Sequence, residues 1–317
     1  MAVYPLVLHA ETLLDEGSAS DLPASLAKFH EARELAPTYA RAWCGISHCN
    51  LEIALRGASP SRALVLTARQ AALRAIELDP DMIESYSCLG GAQALEWDWI
   101  NAEKSFLHGI DLGTHAHASR RYGLFLAALG RFDEASHHFA AAQQIDPFSN
   151  RQKVARAKFL HLTRRYREGI RPLSEPQIYG PLPVEARSLM ALMAAQQGDK
   201  AQAKQLIESI RPDSSAQLSM MAGIAEVLAL IGESEEANHI TRSFKLLSPE
   251  TGMSRFRQAL LSVALEDRDG AMSSLRLADD DHEPELVWIG VEPRLDPIRG
   301  MSEFQDLLRR VIPSFAG

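Results

Sequence analysis

Apolar and small residues recur through most of this chain at the three- and four-residue spacing of amphipathic helices. Between residues 83 and 147 a longer register is laid over that period. Tyr86, Leu89 and Gly90 are followed by Ala102, Phe106 and Gly109, and Ser119, Tyr122 and Gly123 by Ala135, Phe139, Ala142 and Pro147. In both segments a small residue is followed twelve positions later by Ala, four later by an aromatic ring and three later by another small residue. Independent amphipathic helices would share the 3.6-residue period but not a fixed twelve-residue interval. The interval predicts helical hairpins: the small residue lets the second helix approach the first closely, and the Ala/Phe/small stripe fills the gap.

These offsets are those of the tetratricopeptide repeat, and they predict an all-α fold, a right-handed superhelix of about eight helical hairpins. Residues 6–16 read as a short helix, GSASD as a loop, and Pro23 as the opening of a helix carrying Ser25, Phe29 and Ala32. Trp43, Ile46 and Ser47, a connection containing RGASPS, then Ala68, Ala72 and Ala75 make the second hairpin. The phrases ELAP, ELDP and QIDP, ending at Pro37, Pro80 and Pro147, each stop one hairpin and start the next. Past Asn150 the pattern weakens. Pro172 and Pro176 are expected to break the second helix of that hairpin, and residues 173–183 to form either a kink or hinge or an extended surface loop without function. The offsets return at Ala191/Ala203/Ile207/Ile210, at Ala225/Ala237/Thr241/Phe244 with Pro249, and at Ala259/Ala271/Leu275/Ala278, with Gly198 and Gly232 at turns. The array is thus assigned to residues 1–278, with an irregular hairpin at 150–183. Residues 279–317 are assigned to an acidic solvated loop, an extended piece and a helix that caps the last repeat with Trp288, Leu295, Ile298, Phe304 and Leu308.

Composition narrows the function. The formal net charge of −8 over 317 residues argues against nucleic-acid binding by the overall field, though not against a local basic patch. Three cysteines, Cys44, Cys49 and Cys88, are odd in number and lack zinc-ligand spacing, which fits free thiols packed on helices. The N-terminus lacks a basic n-region and no apolar run reaches membrane-spanning length, so a cytoplasmic chain is expected. No nucleophile elbow, HExxH or phosphate-cradling glycine loop is present, and the expectation is a protein that is not an enzyme and takes no cofactor. His115, His117, His137 and His138 fall in one hairpin without acidic or cysteine partners at ligand spacing, which disfavours a metal site. The Trp97-Asp98-Trp99 run reads as a packing staple at a hairpin turn.

Three stretches carry a more specific likeness: ELDP with LEWDWINAEKSFLHGIDL, YGLFLAALGRFDEASHHFAAAQQIDP, and EPRLDPIRGMSEFQDLLRRV. Together they resemble the bacterial tetratricopeptide-repeat arrays that follow the winged-helix domain of HilA-like and CadC-like regulators, or a class III adenylate cyclase domain. The resemblance implies a regulatory or interaction module. No segment here has the pattern of a winged helix or the paired aspartates of a cyclase.

The first helix of each hairpin is expected to line the inner face. In the repeat frame that places Arg41, Cys44 and His48; Glu84, Ser87 and Gly91; His117, Arg120 and Leu124; Arg151, Val154 and Lys158; and His161 in the contact set. Arg41, His48, Glu84, His117, Arg120, Arg151, Lys158 and His161 are the partner-binding candidates. Between residues 150 and 172, Arg151, Lys153, Arg156, Lys158, Arg164, Arg165, Arg167 and Arg171 face only Glu168. Such a run reads either as a solvated helix face or as a clamp for an acidic segment, where the planar fork of Arg grips carboxylate bidentately. His117 and His161 are read as groups whose charge could change near neutral pH. The favoured function is a protein-interaction module binding an acidic protein or peptide segment, with homo-oligomerisation possible. The alternative is the sensory and oligomerisation module of a transcription regulator that takes a small molecule.

Overall fold

The structure, a computed structural model, describes residues 3–16, 21–56, 61–175, 182–210, 217–247 and 253–313. All regular secondary structure among them is helical. The chain divides into two compact units, one up to Gln152 and the other from Lys153.

The first unit contains α1 (Val3–Glu16), α2 (Asp21–Leu35), α3 (Ala40–Ala54), α4 (Ser61–Leu78), α5 (Ile83–Leu95), α6 (Trp99–Leu112), α7 (Ala116–Ala128), α8 (Phe132–Ile145) and the start of α9 (Asn150–Leu162). Consecutive helices pair as hairpins from α1/α2 to α7/α8, and the first helix of each hairpin packs on the next, as in α1/α3, α3/α5 and α5/α7. Small residues set the pairing distance. A Cβ on Gly90 would stand 2.9 Å from Phe106 and 3.0 Å from the Ala102 carbonyl, and one on Gly123 would stand 3.2 Å from Phe139. Between the first and second hairpins, Gly45 of α3 lies over Phe29 of α2, where an added Cβ would fall 2.2 Å from the ring. Ala102 and Ala135, the alanines of the twelve-residue interval, and Ala68, which follows the longer connection, are completely buried. Between α7 and α8, Gly130 takes φ +73°, a left-handed value that glycine adopts without strain. Between α5 and α6 that role falls to Trp97, at φ +61°, while Asp98 caps α6 through the Asn101 N–H. Trp99 lies 6.0 Å from Phe125 between ring centres, so this aromatic packs toward the next hairpin.

The second unit holds the rest of α9, α10 (Tyr166–Ser174), α11 (Val184–Gln196), α12 (Lys200–Glu208), α13 (Gln217–Ile231), α14 (Ser234–Leu247), α15 (Arg255–Ala264), α16 (Arg268–Asp280), 3-10 turns at Pro284–Trp288 and Pro293–Ile298, and α17 (Ser302–Val311). The pairs α11/α12, α13/α14 and α15/α16 continue the hairpins, and α10 meets α9 where a Cβ on Gly169 would come 3.3 Å from Leu160 Cβ. Pro172 does not end α10, contrary to the sequence reading. It lies in the last turn, where the missing N–H removes one bond, and the helix continues to Ser174. The expected hinge falls largely on residues 176–181, outside the described residues, as do Pro249 and the side chain of Phe244.

The acidic stretch after α16 is also not the solvated loop expected from its composition. The carboxylate of Glu283 accepts from the Arg255 N–H at 2.7 Å and the Phe256 N–H at 2.9 Å, and so caps α15. Glu285 is buried and takes the Arg257 guanidinium at 3.0 Å. The following residues form a 3-10 turn rather than an extended piece. Trp288, Leu295, Ile298, Phe304 and Leu308 are all buried, with the second 3-10 turn against α15 and α17 against α16.

A pocket beside buried arginines in the first unit

The end of α1 and the starts of α3, α5, α7 and α9 line a half-open pocket of about 290 Å³ in the first unit. Its polar wall has two parts. At one, ionic groups are paired: Arg41 with Glu11 at 3.0 Å, and Glu84 with His115 Nε2 at 3.2 Å. The hydrogen bond from His115 holds the Glu84 carboxyl below its ordinary range.

The other part is short of negative charge. Arg120 and Arg121 are neighbours on α7 with only 5% and 7% of their surfaces exposed, and Arg151 enters from α9. Glu52, on α3, serves several cations at once. It lies 3.4 Å from both Arg121 Nη2 and Arg151 Nη2, and 3.3 Å from Arg56 Nη1. Burial pushes its carboxyl up, but His48 and the three arginines outweigh burial and hold it well below 4.5. The other contact of Arg151 is to Asp15, an exposed group, at 3.3 Å. Arg120 Nη2 is buried and has no hydrogen-bond partner among the described residues. Burial first, and the neighbouring Arg151 second, push its guanidinium down to about 9. An arginine so depressed is still cationic at neutral pH, in a place where charge is expensive.

Two histidines complete this wall. His48 Nε2 and His117 Nε2 face each other at 3.2 Å. Each also receives an arginine N–H: Arg151 Nη2 donates to His48 Nε2 at 2.9 Å, and Arg121 Nε to His117 Nε2 at 3.0 Å. Local spacing explains half of this, since Glu52 lies four residues after His48 on α3, and Arg121 four after His117 on α7. Burial first, then Arg121 and Arg151 around His48, and His48 with Arg121 around His117, push both imidazoles well below 6.5. His117 is therefore neutral at physiological pH, rather than poised near neutrality as its sequence position suggested.

Six of the eight candidates, Arg41, His48, Glu84, His117, Arg120 and Arg151, line this one cavity. The other two belong to the second unit and are engaged there. Lys158 Nζ sits 3.8 Å above the centre of the Trp288 ring. His161 is buried with Nε2 3.1 Å from Glu292, which in turn holds Arg294 at 2.8 Å. The basic run is divided in the same way: Arg164 pairs with Asp296 at 2.6 Å and Arg165 with Glu168 at 2.5 Å, so of its cations only Arg151 lines the cavity. Sequence reading missed Glu52, Arg121, Glu11 and His115. The four-residue spacings His48/Glu52 and His117/Arg121 were the available signal. Among the described residues no group of three or more His, Cys, Asp or Glu side chains is placed to hold a metal ion, and no helix is long and apolar enough to cross a membrane.

No family model and no curated protein matches the chain. Solved structures do. The chain is similar to a monomeric mutant of IFIT1 with Gppp-AAAA, at a TM-score of 0.63 and 14% identity, over 98% of this chain and 71% of that one. It is also similar to yeast Tom70, at a TM-score of 0.50 and 15% identity, over 98% of this chain and 68% of that one. At such identities the likeness is one of fold. Together with the hairpins and their twelve-residue interval, it defines an all-α tetratricopeptide-repeat array. What this array adds to the fold is a half-open pocket of paired charges onto which the buried Arg120 opens.

Proposed function

We propose that this chain is a noncatalytic interaction module that binds an acidic protein segment by seating one of its anionic groups in the cavity of the first unit. The observation that carries the reading is Arg120: a buried guanidinium whose Nη2 has no hydrogen-bond partner among the described residues, lining a pocket beside which Arg121 and Arg151 already share Glu52. A buried cation is retained at a cost in stability unless something compensates it, and a carboxylate or similar oxyanion supplies the missing acceptor and the missing charge together. The protein partner is argued from the class of fold, whose repeats present helix faces to polypeptides. The regulatory setting is what the resemblance to regulator-borne arrays implies.

Display selection of random peptides on the purified chain tests this. The expected winners share an Asp, a Glu or a free C-terminus at one anchoring position. They should be lost on Arg120→Gln and retained on Lys158→Ala, which removes a cation from the second unit. Winners without an acidic anchor, or winners that survive Arg120→Gln, would overturn the proposal. The size of the cavity supports a second reading, a small-molecule sensor, because about 290 Å³ sits at the lower edge of the roughly 300–1,000 Å³ range of ligand pockets. In that case a metabolite should co-purify with the wild-type chain and be absent from Arg120→Gln.

A further inference from the structure

We infer that the occupant of this pocket is a zwitterion, carrying a protonated amine about one helical turn away from the carboxylate seated at Arg120. This rests on the anion-seating reading above and adds the second half of the ligand.

The need for a positive group follows from the whole lining. Four carboxylates, from Glu11, Asp15, Glu84 and Asp146, share the pocket with three guanidiniums, from Arg41, Arg120 and Arg151. With Glu52, Arg56 and Arg121 beside them, the two signs are equal in number. A ligand that brought only negative charge would enter a neutral site, not a positive one. The charges are nevertheless sorted along α1, where Glu11 and Asp15 stand four residues apart, one turn or about 6 Å. At the level of Glu11, that carboxylate and Glu84 share Arg41, which pairs with Glu11 at 3.0 Å. At the level of Asp15, that carboxylate meets Arg151 at 3.3 Å and also acts on Arg120. One end thus has two carboxylates for one guanidinium, and the other has two guanidiniums for one carboxylate. Glu52 has Arg56 and Arg121 beside it as well as Arg151, so it leaves the cationic end in surplus. Asp146 is exposed and solvated.

Each end also holds a buried polar atom with no hydrogen-bond partner among the described residues: Arg120 Nη2 at one and His115 Nδ1 at the other. Arg120 Nη2 is a donor. Because His115 Nε2 donates to Glu84 at 3.2 Å, Nδ1 of that tautomer is an acceptor. A carboxylate supplies the acceptor that Arg120 lacks, and an ammonium group supplies the donor that His115 lacks and the charge that Glu11 and Glu84 lack. Burial first, with Asp15 and Glu84 adding to it, pushes the Glu11 carboxyl up in spite of Arg41, as befits an acid still short of positive charge. Leu14, Phe29 and Met82 line the same pocket and offer contact to the methylenes that join the two charged groups. An α-amino acid carries both groups on one carbon, too close together to span a turn of α1.

γ-Aminobutyrate is the probe, with butyrate and butylamine as its two single-charge halves. Titration calorimetry on the full chain, near neutral pH and at constant ionic strength, compares the three. Expected is binding of γ-aminobutyrate on the order of tenfold tighter than butyrate, with none of butylamine. Glu11→Gln should remove that preference and keep the affinity for butyrate. Glu84→Gln, on a different helix, should do the same, so that a folding defect in one variant does not decide the result. Arg120→Gln should lose both compounds. Equal affinity of the wild-type chain for γ-aminobutyrate and butyrate, or a preference that survives both glutamine substitutions, would overturn the inference while leaving the acidic-segment reading intact. Failure of butyrate and of acidic peptides alike would overturn that reading as well. A blocked peptide with adjacent Glu and Lys identifies the source: tighter binding of the peptide than of γ-aminobutyrate assigns the charge pair to a polypeptide, and the reverse assigns it to a metabolite.

Discussion

Arg120→Met should make the ligand-free protein more stable. The guanidinium is pushed well below its ordinary value, to about 9, and at about 1.4 kcal/mol per pH unit its charged form costs on the order of 4–5 kcal/mol at neutral pH. The sign is that of a base disfavoured by folding: well below both values the charge is present in both states, and the whole cost falls on the folded one. Methionine removes the charge and keeps much of the side-chain volume; the depressed value already includes the opposing attraction to Glu52, and the guanidinium's lost hydrogen bonds and the imperfect fit of the thioether reduce the expected net gain to about 1–3 kcal/mol. Repeat arrays need not unfold in one step, so the readout has to be local. Trp43, Trp97 and Trp99 lie in the first unit and Trp288 in the second. A Trp288→Phe background therefore confines tryptophan fluorescence to the first unit, and urea midpoints with and without the Arg120→Met substitution can be compared there. The substituted chain should unfold at higher urea and should select no acidic peptides. A loss of more than about 1 kcal/mol would refute the reasoning, since it would mean that Arg120 is held by structural contacts stronger than its desolvation.

Other substitutions probe the rest of the framework. Arg294→Met should destabilise the second unit by about 3–5 kcal/mol, because it strands the buried carboxylates of Glu226 and Glu292, each within 3.0 Å of the guanidinium; denaturation followed through Trp288 reads this. Gly45→Ala should cost about 1–3 kcal/mol or more by overpacking, since the new methyl would land 2.2 Å from Phe29, and Phe29→Ala should cost about 3–5 kcal/mol. Acid should act in two stages. His48 and His117 are depressed in the fold, so below 6.5 the unfolded chain binds protons that the folded chain refuses, and stability falls as pH drops. Glu52 and Glu292 are held well below 4.5, so the stability they contribute is present above that value and is lost as pH falls below it. A pH series of urea midpoints should show the first stage weakened in His48→Asn; an unchanged slope between about pH 6.5 and about pH 5 would contradict the depressed imidazoles.

The hairpins were legible because their cause is local and repeated. Gly90, Ala102 and Phe106 announce a close helix pair by spacing alone, and they meet where a Cβ would have 2.9 Å of room. The repeat frame also carried Arg41, His48, Glu84, His117, Arg120 and Arg151 to one wall, because the first helices of successive hairpins stack. The fate of the basic run was not legible. Arg164 is answered by Asp296, 132 positions away, and His161 by Glu292, 131 positions away, and no local pattern connects such pairs. The stretch after α16 misled for a related reason. A cluster of acids reads as solvated until α15 is seen to start on Glu283, whose carboxylate supplies acceptors for two otherwise open N–H groups.

The two units treat buried arginine differently, and the contrast bears on function. Arg294 is buried against two carboxylates, with Glu226 at 2.9 Å and Glu292 at 2.8 Å, and despite its burial those charges raise its guanidinium above the ordinary value. Arg120 has no carboxylate within bonding distance among the described residues, and its guanidinium is lowered instead. Both sit in helical-hairpin units of one chain, so a general tolerance of the fold for buried cations does not explain the difference. Volume separates them: Arg294 closes a packed network, whereas Arg120 opens onto a cavity large enough to admit several heavy atoms. A deficit of negative charge beside open space is what an anion site requires before its anion arrives. The same deficit inside a packed core would serve only to destabilise it.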